Sequence, residues 1–228
     1  MPKNKTFNAY MLRTFDECPQ KFNFLYNLDI NMPSDAARAL LGDKIHVLAN
    51  YYLNGKDTSK FEKTLTSEEL SIFDRFKTLE ILNTKCFASE YPFSVRLSEY
   101  YLTGRIDAVF QKGDKIIIAD WKTGKKQGGT DYQSMIYLYA LYKIFEYKKM
   151  NLPPENFEFV YFYLNSAEEV RITYNRQLFK EQADFLKSKI DEVFSTKNFT
   201  ANPKQCYTCN FKTLCYNYSN KGMYLKSV

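Results

Sequence analysis

Apolar residues along the chain fall into runs with two different periods. Leu12, Phe15, Phe22 and Leu25 stand near helical spacing, but Pro19 interrupts them, which predicts two short helices meeting at Cys18-Pro19. A turn over 31–34 leads into a helix over 35–53, with Leu40, Leu41, Ile45, Val47 and Leu48 as a broad apolar face and Asn54-Gly55 as its end. Thr66, Ser67, Glu68 and Glu69 supply a cap and first-turn acids for a helix from 67 to about 84. Strands are predicted over 88–97, 99–110 and 116–121, with Gly113-Asp114 turning the last two into a hairpin. Asp131 caps a helix to about 147, 157–164 and 170–174 pair as strands, and a helix spans 177–194. Helices, three strands, helix, two strands, helix: the order predicts one α/β domain over 1–228 with a mixed central sheet flanked by helices.

The hairpin over 104–122 carries residues that a plain hairpin does not need. Asp107 sits among apolar neighbours on its first strand, and Asp120 and Lys122 end its second. Residues two apart on a strand face the same way, so Asp120 and Lys122 project together. Two carboxylates and a lysine brought to one place cost desolvation energy, which a divalent cation commonly offsets. The plain alternative is a pair of strand-end aspartates with a solvated lysine.

Composition narrows the setting. With 228 residues the chain has room for one large domain and its core. A net charge of +6 is compatible with a polyanionic partner. The opening MPKNKTFNAY has no apolar core of signal-peptide length, and no run approaches the ~18 apolar residues of a membrane span. An intracellular protein with no membrane partner is expected. The cysteines are Cys18, Cys86, Cys206, Cys209 and Cys215, an odd number that argues against a disulfide framework. Three of them form Cys206-x-x-Cys209-x5-Cys215, a metal or cluster spacing. Cys86 reads as a buried spectator.

Three further features are each ambiguous alone. His46, the only histidine, follows Gly42 as Gly-x-x-x-His, so a glycine one turn earlier clears space beside it. Gln133 and Tyr137 share a face of the helix after the hairpin, where packing is the simpler explanation. Lys125 and Lys126 serve equally as solvated loop charges or phosphate contacts.

Their order along the chain is less ambiguous. Gly42-x3-His46, Gly104-x-x-Asp107, Asp120-x-Lys122-Thr123-Gly124 and Gln133-x3-Tyr137 together resemble the PD-(D/E)XK nuclease superfamily. Within it they resemble the RecB-type branch, which includes helicase-nucleases and CRISPR-associated iron–sulfur exonucleases. Glu90 matches an acidic residue that the branch often carries on the strand before the hairpin. Leu12-x-x-Phe15-x-x-Cys18-Pro19-x-x-Phe22 and the terminal cysteine triplet extend the likeness over nearly the whole chain. Tyr10 stands where many members have serine, and Ile106 rather than proline precedes Asp107.

The resemblance implies a restriction-endonuclease-like core. It implies that His46, Asp107, Asp120 and the Trp121 carbonyl bind Mg²⁺ or Mn²⁺, that Lys122 acts on the attacking water or the phosphate, and that Glu90 shapes the site or holds a second metal. Gln133 and Tyr137 would steady Lys122 or touch phosphate. Cys18, Cys206, Cys209 and Cys215 would hold a [4Fe–4S] cluster joining segments 10–26 and 203–218, with structural Zn²⁺ as the alternative. The implied activity is hydrolysis of DNA, as an exonuclease on single strands or duplex ends. An endonuclease or flap nuclease, and a non-catalytic nucleic-acid-binding module with a structural metal site, are the alternatives. A helicase or CRISPR adaptation proteins are implied partners, and CRISPR, repair and viral DNA processing all stay open.

Overall fold

The computed structural model describes residues 5–32, 36–126 and 129–220. Pro33, Ser34 and Asp35, assigned above to a turn and a helix start, lie outside the described residues. Among the described residues, six strands form one mixed sheet: β1 (Thr6–Phe7), β2 (Lys85–Leu97), β3 (Tyr100–Lys112), β4 (Lys115–Lys122), β5 (Phe157–Tyr163) and β6 (Glu168–Thr173). β2 runs antiparallel along one edge of β3. The other edge of β3 is shared, by β1 in parallel at Tyr101 and Leu102 and by β4 antiparallel at 108–112. β4 then pairs parallel with β5, and β5 antiparallel with β6. β1 is absent from the sequence prediction because two residues display no period.

The helices are α1 (Ala9–Glu17), α2 (Pro19–Phe22), α3 (Ala36–Leu53), α4 (Ser59–Glu62), α5 (Ser67–Lys77), α6 (Tyr132–Tyr147), α7 (Arg176–Ser195) and α8 (Lys212–Asn220). They cover both faces of the sheet. On one face Leu12 and Phe15 of α1, Ile136 and Leu138 of α6, and Leu186 and Ile190 of α7 pack with Leu102, Ile106, Ile118 and Phe159. On the other, Ile45 and Leu48 of α3 and Phe73 and Phe76 of α5 cover Ala108, Phe110, Ile117, Trp121 and Phe162. β4 between its ends and all of β5 are thus buried on both sides, which is why 116–119 is an apolar run, whereas β5 shows none of the alternation of a half-exposed strand.

Several predicted boundaries hold, for visible reasons. Cys18 is extended (φ −162°) between α1 and α2, and Pro19 opens α2, where its missing N–H costs nothing. Thr66 and Glu69 form a capping box on α5, and Asp131 and Ser134 form another on α6. Two expectations change. The helix starting at Ser67 stops at Lys77, where the Thr78 hydroxyl donates to the Arg75 carbonyl at 2.8 Å, and a 3₁₀ turn Glu80–Asn83 follows. On α3, Ile45, Leu48 and Ala49 are buried, whereas Leu40 and Val47 are 56% and 52% exposed, so the apolar face is narrower than its composition suggests.

The chain ends meet at α2. The Gln20 amide donates to the Thr200 carbonyl at 3.1 Å, and Asn202 Nδ2 donates to the Glu17 carbonyl at 2.8 Å. Among the described residues, no helix is long and apolar enough to cross a membrane.

Candidate active site

The site forms where β3 and β4 part. Their ladder ends at the Ala108–Ala119 pair, and the next amide on β4 turns to a side chain: Trp121 N–H donates to Asp107 Oδ2 at 2.9 Å. That buried bond supplies the donor with the partner the missing ladder would have given. It also fixes Asp107, which is only 8% exposed, at the fork.

The alternation along β3 changes phase at this point. Tyr100, Leu102 and Ile106 face the α6 core, yet Ala108 and Phe110 face the α3 core. A strand of strict period two cannot do this, so Asp107 occupies a local irregularity. The partner strand is irregular in the same place. Its register slips between Cys86 and Ala88, and Glu90, opposite Asp107 in register, adopts φ +47°. A left-handed glutamate is uncommon and its strain persists where the surroundings over-determine it. Here Ser89 Oγ donates to Asn50 Oδ1 at 2.7 Å and accepts from Asn54 Nδ2 at 2.8 Å, tying β2 to α3.

α3 brings His46 to the fork. Its Nε2 lies 3.0 Å from the Trp121 carbonyl and its Nδ1 3.2 Å from Asp107 Oδ1, so both ring nitrogens face acceptors. Burial disfavours the charged imidazole, but the Asp107 hydrogen bond and the charges of Asp107 and Asp120 outweigh it, and the pKa is pushed up to about 9. The imidazolium thus occupies the position between Asp107 and the carbonyl that a cation would share. Gly42, expected to clear space for His46, does not do so: a Cβ there would meet nothing closer than Thr123 Oγ1 at 3.7 Å, an ordinary contact.

The second half of the site is a locked lysine. Lys122 Nζ lies 2.6 Å from Asp120 Oδ1, donates to Gln133 Oε1 at 2.9 Å and stands 5.2 Å from the centre of the Tyr161 ring. Gln133 Nε2 donates in turn to Asp120 Oδ2, so one amide on the first turn of α6 orients both strand residues. Asp120 is fully buried, and burial with the nearby Asp107 charge raises its pKa to about 7 despite Lys122 and His46.

Tyr137 packs edge-on against Phe93, above Gly104. A Cβ on Gly104 would lie 2.7 Å from Phe93 Cζ and 2.8 Å from Tyr137 Cε1, so glycine is required there for close approach. Lys122 faces a cleft of about 1020 Å³ whose lining includes Arg13, Lys125, Lys126, Tyr161 and Tyr163.

The donor set fits a hard divalent cation. Ligand atoms of His46, Glu90 and Asp107 all lie within 4.8 Å of one another. Asp120 Oδ1 is buried and accepts no well-directed hydrogen bond, its contact with Lys122 being an ion pair alone. Carboxylates, a carbonyl and one imidazole suit Mg²⁺ or Mn²⁺ better than zinc. Asp120 stands outside the compact group, held by Lys122 and Gln133.

The sequence matches the family model of the PD-(D/E)XK nuclease superfamily over residues 6–216. The chain belongs to that superfamily. No match was found among curated proteins. Two solved structures share the nuclease-superfamily chain's fold. The crystal structure of SSO0001 has a TM-score of 0.51 and 16% identity, over 94% of this chain and 88% of that one. A protein described as "Putative exonuclease" from Eubacterium rectale has a TM-score of 0.56 and 12% identity, over 98% and 90%.

In this superfamily member, β2 carries Glu90, β3 Asp107, β4 Asp120, Trp121 and Lys122, α3 His46 and α6 Gln133 and Tyr137, with His46, Glu90 and Asp107 as the compact group. Tyr161, Asn50, Ser89 and Arg105, which lies 3.4 Å from Glu90, were not singled out. All seven residues of β5 are buried, so only the Asp120–Tyr161 register distinguishes Tyr161.

Four of the five cysteines lie together, apart from the fork. Cys18, Cys206, Cys209 and Cys215 line one cavity with Phe24 and Phe211. Asn202 N–H donates to Cys18 Sγ at 3.4 Å. Cys86 is half-buried on β2, at the register slip, away from this cavity.

Proposed function

We propose that the protein is a divalent-metal-dependent deoxyribonuclease that hydrolyses phosphodiesters as an exonuclease, on single strands or duplex ends. The observation that carries this reading is the pairing of two half-sites across one fork: His46, Asp107 and the Trp121 carbonyl on one side, Asp120, Lys122 and Gln133 on the other. His46, Asp107, Asp120 and the carbonyl would hold Mg²⁺ or Mn²⁺, with Glu90 as a further carboxylate. When bound, such an ion supplies Lewis acidity at the scissile phosphate and the attacking water. Lys122 brings a fixed positive charge to the phosphoryl oxygens, where charge develops, without needing to reorganise. Gln133 keeps it aimed. Tyr137, whose phenol is held protonated by burial and by the Asp120 and Asp107 charges, packs α6 against β3. The name given to the Eubacterium rectale fold neighbour points toward end-directed cleavage.

Cys18, Cys206, Cys209 and Cys215 line one cavity, and there they would hold a [4Fe–4S] cluster, with structural zinc, which four thiolates also bind, as the alternative.

End-labelled linear DNA and circular single-stranded DNA, each with Mg²⁺ or Mn²⁺, test the activity. The wild type should shorten the linear substrates and leave the circle intact, and Asp120→Ala and Lys122→Ala should leave both intact. Equal cleavage by all three proteins would remove the site assignment. Cutting of the circle would replace the exonuclease reading with an endonuclease, and metal-independent retention of DNA without cleavage would leave a binding module.

A further inference from the structure

Charge is unevenly distributed along the chain. Residues 193–228 contain five lysines and no aspartate, glutamate or arginine, in a protein whose net charge is +6. Within this stretch two elements flank the cysteine cavity, the 3₁₀ helix Pro203–Thr208 and α8. Side chains three apart on a 3₁₀ helix eclipse one another, which aligns Lys204 with Tyr207. Side chains four apart on an α-helix share a face, which aligns Lys212 with Tyr216. Each element therefore presents one lysine and one tyrosine together. Tyr207 is 93% exposed and Tyr216 69%, whereas Phe211 between them is 2% exposed and packs inward against Phe24.

We infer that these two lysine–tyrosine pairs form a second contact for single-stranded nucleic acid, separate from the acidic fork. The inference rests on the nuclease reading for its choice of partner. A lysine beside an upright aromatic ring offers one phosphate contact and one stacking surface, the combination that holds a strand without reading its sequence. An anionic membrane is the poorer match. Surface-binding helices bury Trp, Phe or Leu, and here the phenylalanine faces inward while only hydroxyl-bearing rings face out. Tyr207 lies between Cys206 and Cys209, two residues that line the cysteine cavity, which places the platform beside that cavity.

Fluorescence anisotropy of a labelled single-stranded oligonucleotide, in chelator so that nothing is cut, tests the site. Tyr207→Ala with Tyr216→Ala should weaken binding about tenfold or more, and the paired Tyr→Phe variant should bind as the wild type does. Lys204→Ala with Lys212→Ala should reduce the slope of log affinity against log salt by about 1.4. Lys60→Ala with Lys63→Ala, an equal loss of charge on α4 and its C-cap, should leave that slope unchanged. Asp120→Ala should bind normally while failing to cleave, so a failed nuclease reading and a failed platform give different patterns. Unchanged affinity in the Tyr→Ala pair overturns the proposal, as does equal damage from Tyr→Phe. Competition by phosphatidylserine vesicles as effective as competition by DNA also overturns it.

Discussion

His46 and Asp120 together set how the site responds to pH. The His46 pKa is raised from 6.5 to about 9, so it contributes stability that is complete below 6.5 and lost as pH rises through about 9. The Asp120 pKa is raised from 3.8 to about 7, so ionising it costs stability, a cost absent below 3.8 and complete above 7. Both act in the same direction, and the metal-free site loses stability as pH rises between those limits. Ligation needs neutral His46 and ionised Asp120, so cation binding expels protons. Mn²⁺ affinity, measured by calorimetry, should rise roughly tenfold per pH unit while one proton is released, between about pH 7 and about pH 9. His46→Ala should bind more weakly and with a shallower pH slope. An affinity indifferent to pH in the wild type would mean that the imidazolium does not occupy the cation's place. The lysine predicts differently: Lys122→Arg keeps the charge but cannot fit between Asp120, Gln133 and the Tyr161 ring, so it should lose at least about a hundredfold in kcat with metal affinity little changed.

The elements show where sequence reading succeeds and where it stops. Boundaries set by local chemistry were legible: Pro19, the Thr66 and Asp131 caps, and the Gly113-Asp114 turn all act through neighbours in the chain. The order of the site residues was legible too, because each motif lies on one element. What joins the elements was not. The slip between Cys86 and Ala88, the left-handed Glu90 and the phase change at Asp107 depend on how β2 meets β3, which no local period records. The glycines make the same point. Gly42 looked like a spacer and is not one, whereas Gly104 is, because Phe93 from β2 and Tyr137 from α6 converge above it. Gly104→Ala should therefore destabilise the fold by about 1–3 kcal/mol through overpacking. It should also reduce kcat by shifting α6 and with it Gln133. Chemical denaturation measures the first effect, and pairing it with Phe93→Leu, which removes one of the two clashing rings, should restore part of the loss. Gly42→Ala should be neutral or slightly stabilising, since alanine favours a helix and its methyl has room.

Across the whole molecule, the segments near the two ends both pack on the core and are fastened to each other. α2 and the segment before Pro203 share the Gln20–Thr200 and Asn202–Glu17 bonds, and the four cysteines meet beneath them. A centre bound by Cys18 and the C-terminal triplet would close a loop containing nearly the entire chain. Crosslinks of this kind act chiefly by restricting the unfolded state, and losing one costs on the order of 3 kcal/mol. In a chain of this size that corresponds to about 6–12 °C in Tm. Cys18→Ser should produce a fall of that order. Cys86→Ser, at a position outside the cavity, should shift Tm by no more than about 2 °C. Metal analysis after anaerobic purification identifies what fills the cage: about four irons per chain with a broad visible absorption in the wild type, both lost in Cys18→Ser. A colourless protein with one zinc would replace the cluster with a structural zinc site. Normal stability in Cys18→Ser would show that the hydrogen bonds between the two segments hold the ends without any metal.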